Sequence, residues 1–172
     1  LFTNNNKTND QNRYKLQISV NMILKGYIFS RPFFEERVPQ HVQNIIIQNY
    51  CKKNNYTFHL SATEYRYFES TFILMELLED ISKYDGLVFY SLLQLPINEK
   101  KRHLLYNKIL KKNKSIYFAL EELQIKNKKD KNEIEEVFKL KLAEFDHIKP
   151  KKIGRLKNFV SFKHKKVKRN YL

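Results

Sequence analysis

The chain has 172 residues, of which 42% are hydrophobic and 14% aromatic. That length allows one domain with its own core plus tails, and the composition excludes a wholly disordered chain. The net charge is +15. No apolar run reaches the ~20 residues of a membrane-spanning helix, so we expect a soluble, cytoplasmic protein without a transmembrane segment.

The two ends of the chain differ in composition from its centre. Residues 1–21 are polar and Asn-rich, without the apolar run of a signal peptide, and we expect a disordered extension unless Met22 is the natural start. Residues 22–145 are predicted to form the single domain. Residues 146–172 carry ten basic residues and one acidic residue. This basic tail predicts weak nonspecific binding of nucleic acid or other anions, although the Lys, Asn and Ile bias of the whole chain also explains it without a partner.

Apolar stretches of strand and helix character alternate through the central region. Residues 23–29 indicate a buried strand, and Pro39 then opens a helix, "PQHVQNIIIQNYCKKNN", with one apolar face. The same unit repeats, with predicted strands at 56–61, 86–92 and 115–121 and predicted helices at 71–82, 98–113 and 130–145. The sequence therefore predicts an α/β fold, a three-layer sandwich with a mostly parallel central sheet.

Ligands of such sheets bind beyond the carboxyl ends of the strands. The loops expected there are 30–32, 61–64, 91–94 and 121–122. Arg31 offers a guanidinium fork for phosphate or carboxylate, although a solvated loop arginine is the alternative. Tyr65, Tyr67 and Phe68 either stack on a sugar or base or pack on one another. The predicted ligand-binding residues are Ser30, Arg31, Arg37, Gln40, Gln43, Thr63, Tyr65, Ser91 and Gln94.

Three residues are candidates for acid–base chemistry. Glu64 and Glu121 follow predicted strands and would form a general acid/base pair if their loops converge, and surface or salt-bridged glutamates are the alternative. His41 lies in the first turn of a helix, whose dipole favours a neutral imidazole. Cys51 is predicted to be a buried, unreactive thiol. The other histidines show no metal-ligand spacing, so we predict no metal and no cofactor.

The strings "LKGYIFSRP", "LLEDISKYDGLVFYSLLQLP" and "LYNKILKKNKSIYFALEEL" resemble, over residues 23–125, the N-terminal catalytic domain of resolvase-type serine recombinases. The resemblance implies the same fold. The nucleophilic serine of that family's "GYIRVS" motif falls on Arg31, one place after Ser30, and its Asp-Arg pair falls on Leu93 and Gln94. Because phosphodiester attack needs cations around the phosphate, the resemblance implies a catalytically inactive relative, with nucleic-acid binding as its alternative function.

The strings "KGYIFSRPFFEERVPQHVQN", "LSATEY", "YSLLQLP" and "FALEEL" resemble, over residues 22–125, the sporadic carbohydrate cluster family. These small proteins are encoded in bacterial gene clusters for lipopolysaccharide O-antigen or other surface polysaccharides, and their activity is unassigned. The resemblance implies a pathway, surface-carbohydrate biosynthesis, and not a reaction. We expect an accessory or enzymatic role in it, in which the protein acts on or binds a nucleotide sugar or glycan precursor at the strand ends. A homo-oligomeric scaffold for the enzymes of such a pathway is a further alternative.

Overall fold

The computed structural model describes residues 21–34 and 36–148. Within them, five strands form one sheet in the order β2-β1-β3-β4-β5. The first four strands are parallel, and β5 pairs antiparallel with β4. Their bounds are β1 Ile23–Phe29, β2 Thr57–Glu64, β3 Gly86–Phe89, β4 Ser115–Phe118 and β5 Leu123–Ile125.

In the described part of the chain four helices cover this sheet, namely α1 Gln40–Lys53, α2 Phe72–Glu79, α3 Glu99–Lys111 and α4 Lys128–Ile148, and short 3₁₀ turns occupy Asp80–Lys83 and Leu92–Gln94. The chain steps from β1 to β2 in one direction and from β2 to β3 and β4 in the other. Right-handed crossovers therefore place α1 on one face and α2 and α3 on the opposite face, which confirms the predicted three-layer α/β architecture. None of the helices in the described part combines the length and the apolar character needed to cross a membrane.

The core lies on both faces of the central strands. Every residue of β3 is buried, as is nearly all of β4, because a parallel sheet covered on two sides excludes water from both faces. The largest fully buried side chains include Tyr27, Tyr106, Tyr117, Phe89 and Phe118. Burial of each large apolar side chain contributes roughly 1.5–3 kcal/mol to the stability of the fold. The central strands therefore fix the positions at which the loops beyond them begin.

The edge strand β2 contains a bulge beside Gly26. Lys25 pairs with His59 and Tyr27 pairs with Ala62, so β2 has one more residue than β1 across this step. A Cβ at Gly26 would lie 2.1 Å from Ser61 Oγ, and only glycine leaves room for that hydroxyl. Bulges of this kind bend an edge strand and interrupt its pairing.

Several boundaries differ from the predicted ones. β2 continues to Glu64, three residues beyond the predicted end, whereas β3 and β4 stop at 89 and 118 because the chain then turns. The three-residue strand β5 was not predicted. Helix α4 begins at 128 and runs to 148, across the predicted domain boundary after residue 145. Residues 1–20 and 149–172, with nearly all of the predicted extension and most of the basic tail, lie outside the described residues.

Candidate functional site

The loop after β1 is held by a buried glutamine of α1. Gln43 Nε2 donates to the carbonyl oxygens of Phe29 at 2.9 Å and Val38 at 2.8 Å, and Gln43 Oε1 accepts from Phe29 N at 3.0 Å. The same oxygen accepts from Gln94 Nε2 at 2.9 Å. All four hydrogen-bonding positions of the Gln43 amide are thus used within the fold. The Gln43–Gln94 hydrogen bond joins the loop after β1 to the loop after β3. These two neighbouring strands flank the point at which the strand order reverses.

A second group of hydrogen bonds closes the turn after β3. Ser91 Oγ donates to Glu121 Oε1 at 2.5 Å and accepts from Leu93 N, while Leu92 N donates to Glu121 Oε2 at 3.0 Å. Ser91 N donates to Gln94 Oε1 at 3.2 Å, so Ser91 and Gln94 form a capping box. Burial raises the pKa of Glu121, and hydrogen bonds from Ser91 and Leu92 lower it only in part. Ser91 itself is fully buried.

Glu64, the last residue of β2, is fully buried and holds the start of α2. Its carboxylate accepts from Tyr27 Oη at 2.9 Å, Tyr65 N at 2.9 Å, Ser70 Oγ at 2.8 Å, Ile73 N at 3.4 Å and Leu74 N at 3.1 Å. Burial acts to raise the pKa of Glu64, but these hydrogen bonds outweigh it and hold the pKa below its ordinary value. The residue therefore satisfies backbone N–H groups at a helix start, the function of a capping carboxylate.

Arg31 braces the loop between β2 and α2. Arg31 Nη1 donates to Tyr65 O at 2.8 Å and Arg31 Nη2 donates to Ser70 O at 2.9 Å, with the guanidinium carbon 4.0 Å from the centroid of the Phe29 ring. Ser30 Oγ donates to Glu64 O at 2.8 Å in the same region. Burial lowers the pKa of Arg31, although nearby acidic groups act in the opposite direction and raise it in part. Arg31 thus makes structural contacts in the described chain, and the fork predicted for a ligand is used on two backbone carbonyls.

The predicted site residues fall into two groups. The side chains of one group form hydrogen bonds within the fold, and those of the other, the outward group, are exposed at the surface. The structure brings Ser91, Gln94 and Glu121 together with Gln43, and it brings Ser30, Arg31 and Glu64 together in a separate cluster. Thr63 lies half-buried in β2, and Tyr65 is half-exposed. Arg37, Gln40 and His41 are exposed, and their side chains form no hydrogen bond or ion pair with other described residues.

The outward group surrounds the N-terminus of α1. This helix of 14 residues starts after Pro39, with no side-chain cap and no acidic residue in its first turn. A helix N-terminus carries partial positive charge and free N–H groups, and here it lies beyond the carboxyl end of β1, where ligands of open α/β sheets bind. The rim formed by Arg37, Gln40 and His41 is therefore suited to a ligand with an anionic group and neighbouring hydroxyls.

Sequence reasoning missed a buried ion pair between α3 and α4. Arg102 Nε and Nη2 donate to the two oxygens of Glu135 at 2.8 and 3.0 Å, and Tyr106 Oη donates to Glu135 Oε1 at 2.8 Å. Glu99 and His103 lie close by, with ligand atoms within 4.8 Å of one another and of Glu135. Arg102 neutralises the carboxylate of Glu135, so the ion pair links α3 to α4. The helical spacing of Arg102 and Tyr106 was the signal available in the sequence.

Comparison with known proteins gives a fold and no family. No protein-family model and no curated protein matches the chain. Among solved structures, it is similar to the N-terminal catalytic domain of TP901-1 integrase, with a TM-score of 0.52 and 13% sequence identity over 70% of this chain and 95% of that one. At that identity the likeness concerns the fold alone. It confirms the predicted fold class, an α/β sandwich of resolvase type, while the resemblance to the carbohydrate cluster family stays a prediction.

Proposed function

We propose that the protein is a noncatalytic binding protein for an anionic carbohydrate precursor, a nucleotide sugar or sugar phosphate, which it holds at the rim of Arg37, Gln40 and His41. The observation that carries this proposal is the uncapped N-terminus of α1, which has no acidic residue in its first turn. Helix N-termini at this edge of α/β sheets bind phosphate groups, and Arg37 adds a bidentate donor for the same group.

The chemistry of the rim fits a sugar attached to a phosphate. The amide of Gln40 donates and accepts hydrogen bonds, as sugar hydroxyls require, and His41 adds a ring nitrogen beside it. The sequence resemblance of residues 22–125 to the carbohydrate cluster family predicts a pathway in which such ligands occur. Exposed side chains in one helical turn allow binding without a change in the core.

Binding without bond cleavage is favoured by the state of the buried polar residues. Glu64 accepts five hydrogen bonds, Glu121 accepts from Ser91 and Leu92, and Ser91 is fully buried. A general base must reach the proton it abstracts, and the hydrogen bonds of these groups go instead to neighbouring residues of their own clusters. We therefore assign them to the fold and not to catalysis.

The test is a titration of the full chain with UDP-glucose, UDP, glucose 1-phosphate and glucose. A phosphate-bearing ligand at ~100 times its dissociation constant adds ~2.7 kcal/mol of stability, which a thermal-shift assay detects, whereas glucose alone has no anion and is expected to have little effect. The variant Arg37→Ala is expected to bind at least tenfold more weakly. Lys52→Ala removes an exposed cation at the other end of α1 as the matched control and is expected to bind normally.

Two results would contradict the proposal. One is the absence of any shift with all of the phosphate-bearing ligands, and the other is equal loss of binding in the Arg37 and Lys52 variants, which would indicate a general charge effect. Conversion of the nucleotide sugar during incubation would contradict the noncatalytic assignment alone.

Binding of nucleic acid is a second candidate, favoured by the net charge of +15 and by the concentration of basic residues in 146–172. The resolvase-type fold is compatible with this function. It predicts duplex binding whose affinity falls steeply with salt, is lost when residues 149–172 are removed, and is unaffected by Arg37→Ala. Duplex binding in place of nucleotide-sugar binding would favour this function over the first.

A further inference from the structure

The loop between β2 and α2 exposes an unusual amount of aromatic surface. We define the aromatic loop as residues 65–72, and four of its eight side chains are aromatic. Their exposed fractions are 49% for Tyr65, 79% for Tyr67, 85% for Phe68 and 64% for Phe72. Contiguous exposed apolar surface on a folded domain marks an interaction site, and none of the rim residues Arg37, Gln40 and His41 belongs to this loop.

The aromatic loop is held in place by the body of the protein. Arg31 donates to Tyr65 O and Ser70 O at the two sides of the loop, and Glu64 accepts from Tyr65 N and Ser70 Oγ. Glu69, near its tip, has a φ of 54°, a left-handed conformation that costs about 1 kcal/mol or more for a non-glycine residue. Because these contacts already hold the loop in one conformation, it loses little conformational entropy when it binds. The loop backbone therefore needs no rearrangement to bring the aromatic side chains into contact with a partner.

The charges of the aromatic loop are balanced and unpaired. Arg66 and Glu69 are both exposed, and neither makes an ion pair with another described residue. A polyanion such as nucleic acid would meet the carboxylate of Glu69 beside the single cation. A surface that carries one cation, one anion and an apolar centre can be complementary to itself, because a two-fold axis that brings Arg66 of one copy against Glu69 of the other also brings Glu69 of the first against Arg66 of the second.

The area available is close to that of a small specific interface. An aromatic side chain has roughly 150–250 Å² to bury, so four that are half to five-sixths exposed supply on the order of 500 Å². Standard interfaces bury about 800 Å² per partner. Leu60, which is 74% exposed on the same edge strand that leads into the loop, adds apolar surface along that edge.

We propose that the aromatic loop is the interface of a two-fold symmetric homodimer, in which Arg66 of each copy pairs with Glu69 of the other. The aromatic side chains form its apolar centre. The partner is a second copy of this chain, and the interface does not depend on the ligand proposed for the α1 rim.

Charge reversal tests this arrangement with a positive readout. The full chain is examined by sedimentation equilibrium at increasing concentration, and we expect a monomer–dimer equilibrium. R66E and E69R each place like charges across the two-fold axis, and each is expected to weaken self-association at least tenfold. The double variant R66E/E69R restores opposite charges and is expected to recover the dimer. An equimolar mixture of R66E and E69R chains is likewise expected to form a heterodimer.

Further variants separate the aromatic contact from a general effect of charge and from the ligand rim. Y67S/F68S removes the two most exposed aromatic rings and is expected to give a folded monomer with the helix content of the wild type. R37A, outside the loop, is expected to keep the dimer while losing nucleotide-sugar binding. The proposal is overturned if the wild-type chain stays monomeric at several hundred micromolar, if Y67S/F68S keeps the dimer, or if the single reversals and their mixture associate like the wild-type chain.

Discussion

Replacement of Glu64 by glutamine tests whether this buried carboxylate supports the fold. Glu64 Oε1 accepts from Tyr65 N and Ser70 Oγ, and Glu64 Oε2 accepts from Tyr27 Oη and Leu74 N. A glutamine has one acceptor oxygen, so its NH₂ group must face at least one backbone N–H in either orientation. A buried donor left without a partner costs about 1–3 kcal/mol, and the remaining bonds lose the strength that the negative charge gives them.

We therefore expect Glu64→Gln to lower the free energy of unfolding by about 3 kcal/mol. In a domain of this size that is a fall of about 10 °C in Tm. The measurement is urea unfolding at pH 7 of the wild-type chain, Glu64→Gln, and Glu76→Gln as the matched control, since Glu76 is an exposed glutamate of α2. The control is expected to stay within about 0.5 kcal/mol of the wild type.

The pH dependence gives the same test a second readout. Because the folded-state pKa of Glu64 is lowered, its contribution is present above the ordinary glutamate pKa of ~4.3 and is lost as the pH falls through the lower folded value. The difference between wild type and Glu64→Gln should thus shrink at low pH, once the wild-type residue is also protonated. A difference below about 0.5 kcal/mol at pH 7, or one that does not change with pH, would refute the assignment of Glu64 as a capping carboxylate.

Three further changes have expected effects on stability or reactivity. Arg102→Met should lower the free energy of unfolding, measured in urea, by about 3–5 kcal/mol because it leaves Glu135 buried and unpaired. The double variant Arg102→Met/Glu135→Leu should lower it clearly less. Equal losses in the two variants would contradict the buried pair. Gly26→Ala should cost about 1–3 kcal/mol through its clash with Ser61 Oγ, and Ser61→Gly in the same chain should recover part of it. Burial raises the pKa of the Cys51 thiol to about 11, so iodoacetamide should modify it at pH 8 only as urea unfolds the chain, and rapid modification without urea would contradict its burial.

The sequence was sufficient for the architecture because the strands carry their own signal. β3 is a continuous apolar run and β1 departs from one only at Lys25 and Gly26, and helical stretches between the strands indicate parallel crossovers. The strand β5 was missed because three residues have no periodicity to detect. The tight turn between β4 and β5 has Glu122 at a φ of 54°. Glutamate is not a residue type that indicates this left-handed conformation in a sequence.

The functional roles of individual residues were harder to predict. Glu64 was expected at the end of a loop as a candidate acid–base residue, and its partners Ser70 and Leu74 belong to a helix start that only the folded chain brings against it. The sequence analysis did not single out Arg102 or Glu135, which neutralise each other in the interior. Burial of a charged side chain depends on its tertiary partner, which a single sequence does not identify.

Two glutamines on one turn of α1 test the proposed division between folding and binding at the carboxyl edge of the sheet. Gln43 is fully buried and its amide makes four hydrogen bonds to β1, the β1–α1 loop and Gln94, whereas Gln40 is exposed. Gln43→Ala leaves buried partners unsatisfied and is expected to cost about 2–4 kcal/mol in unfolding experiments. Gln40→Ala is expected to leave stability unchanged and to weaken UDP-glucose binding. If both variants unfold alike and bind alike, the division of this edge into inward structural residues and an outward ligand rim is wrong.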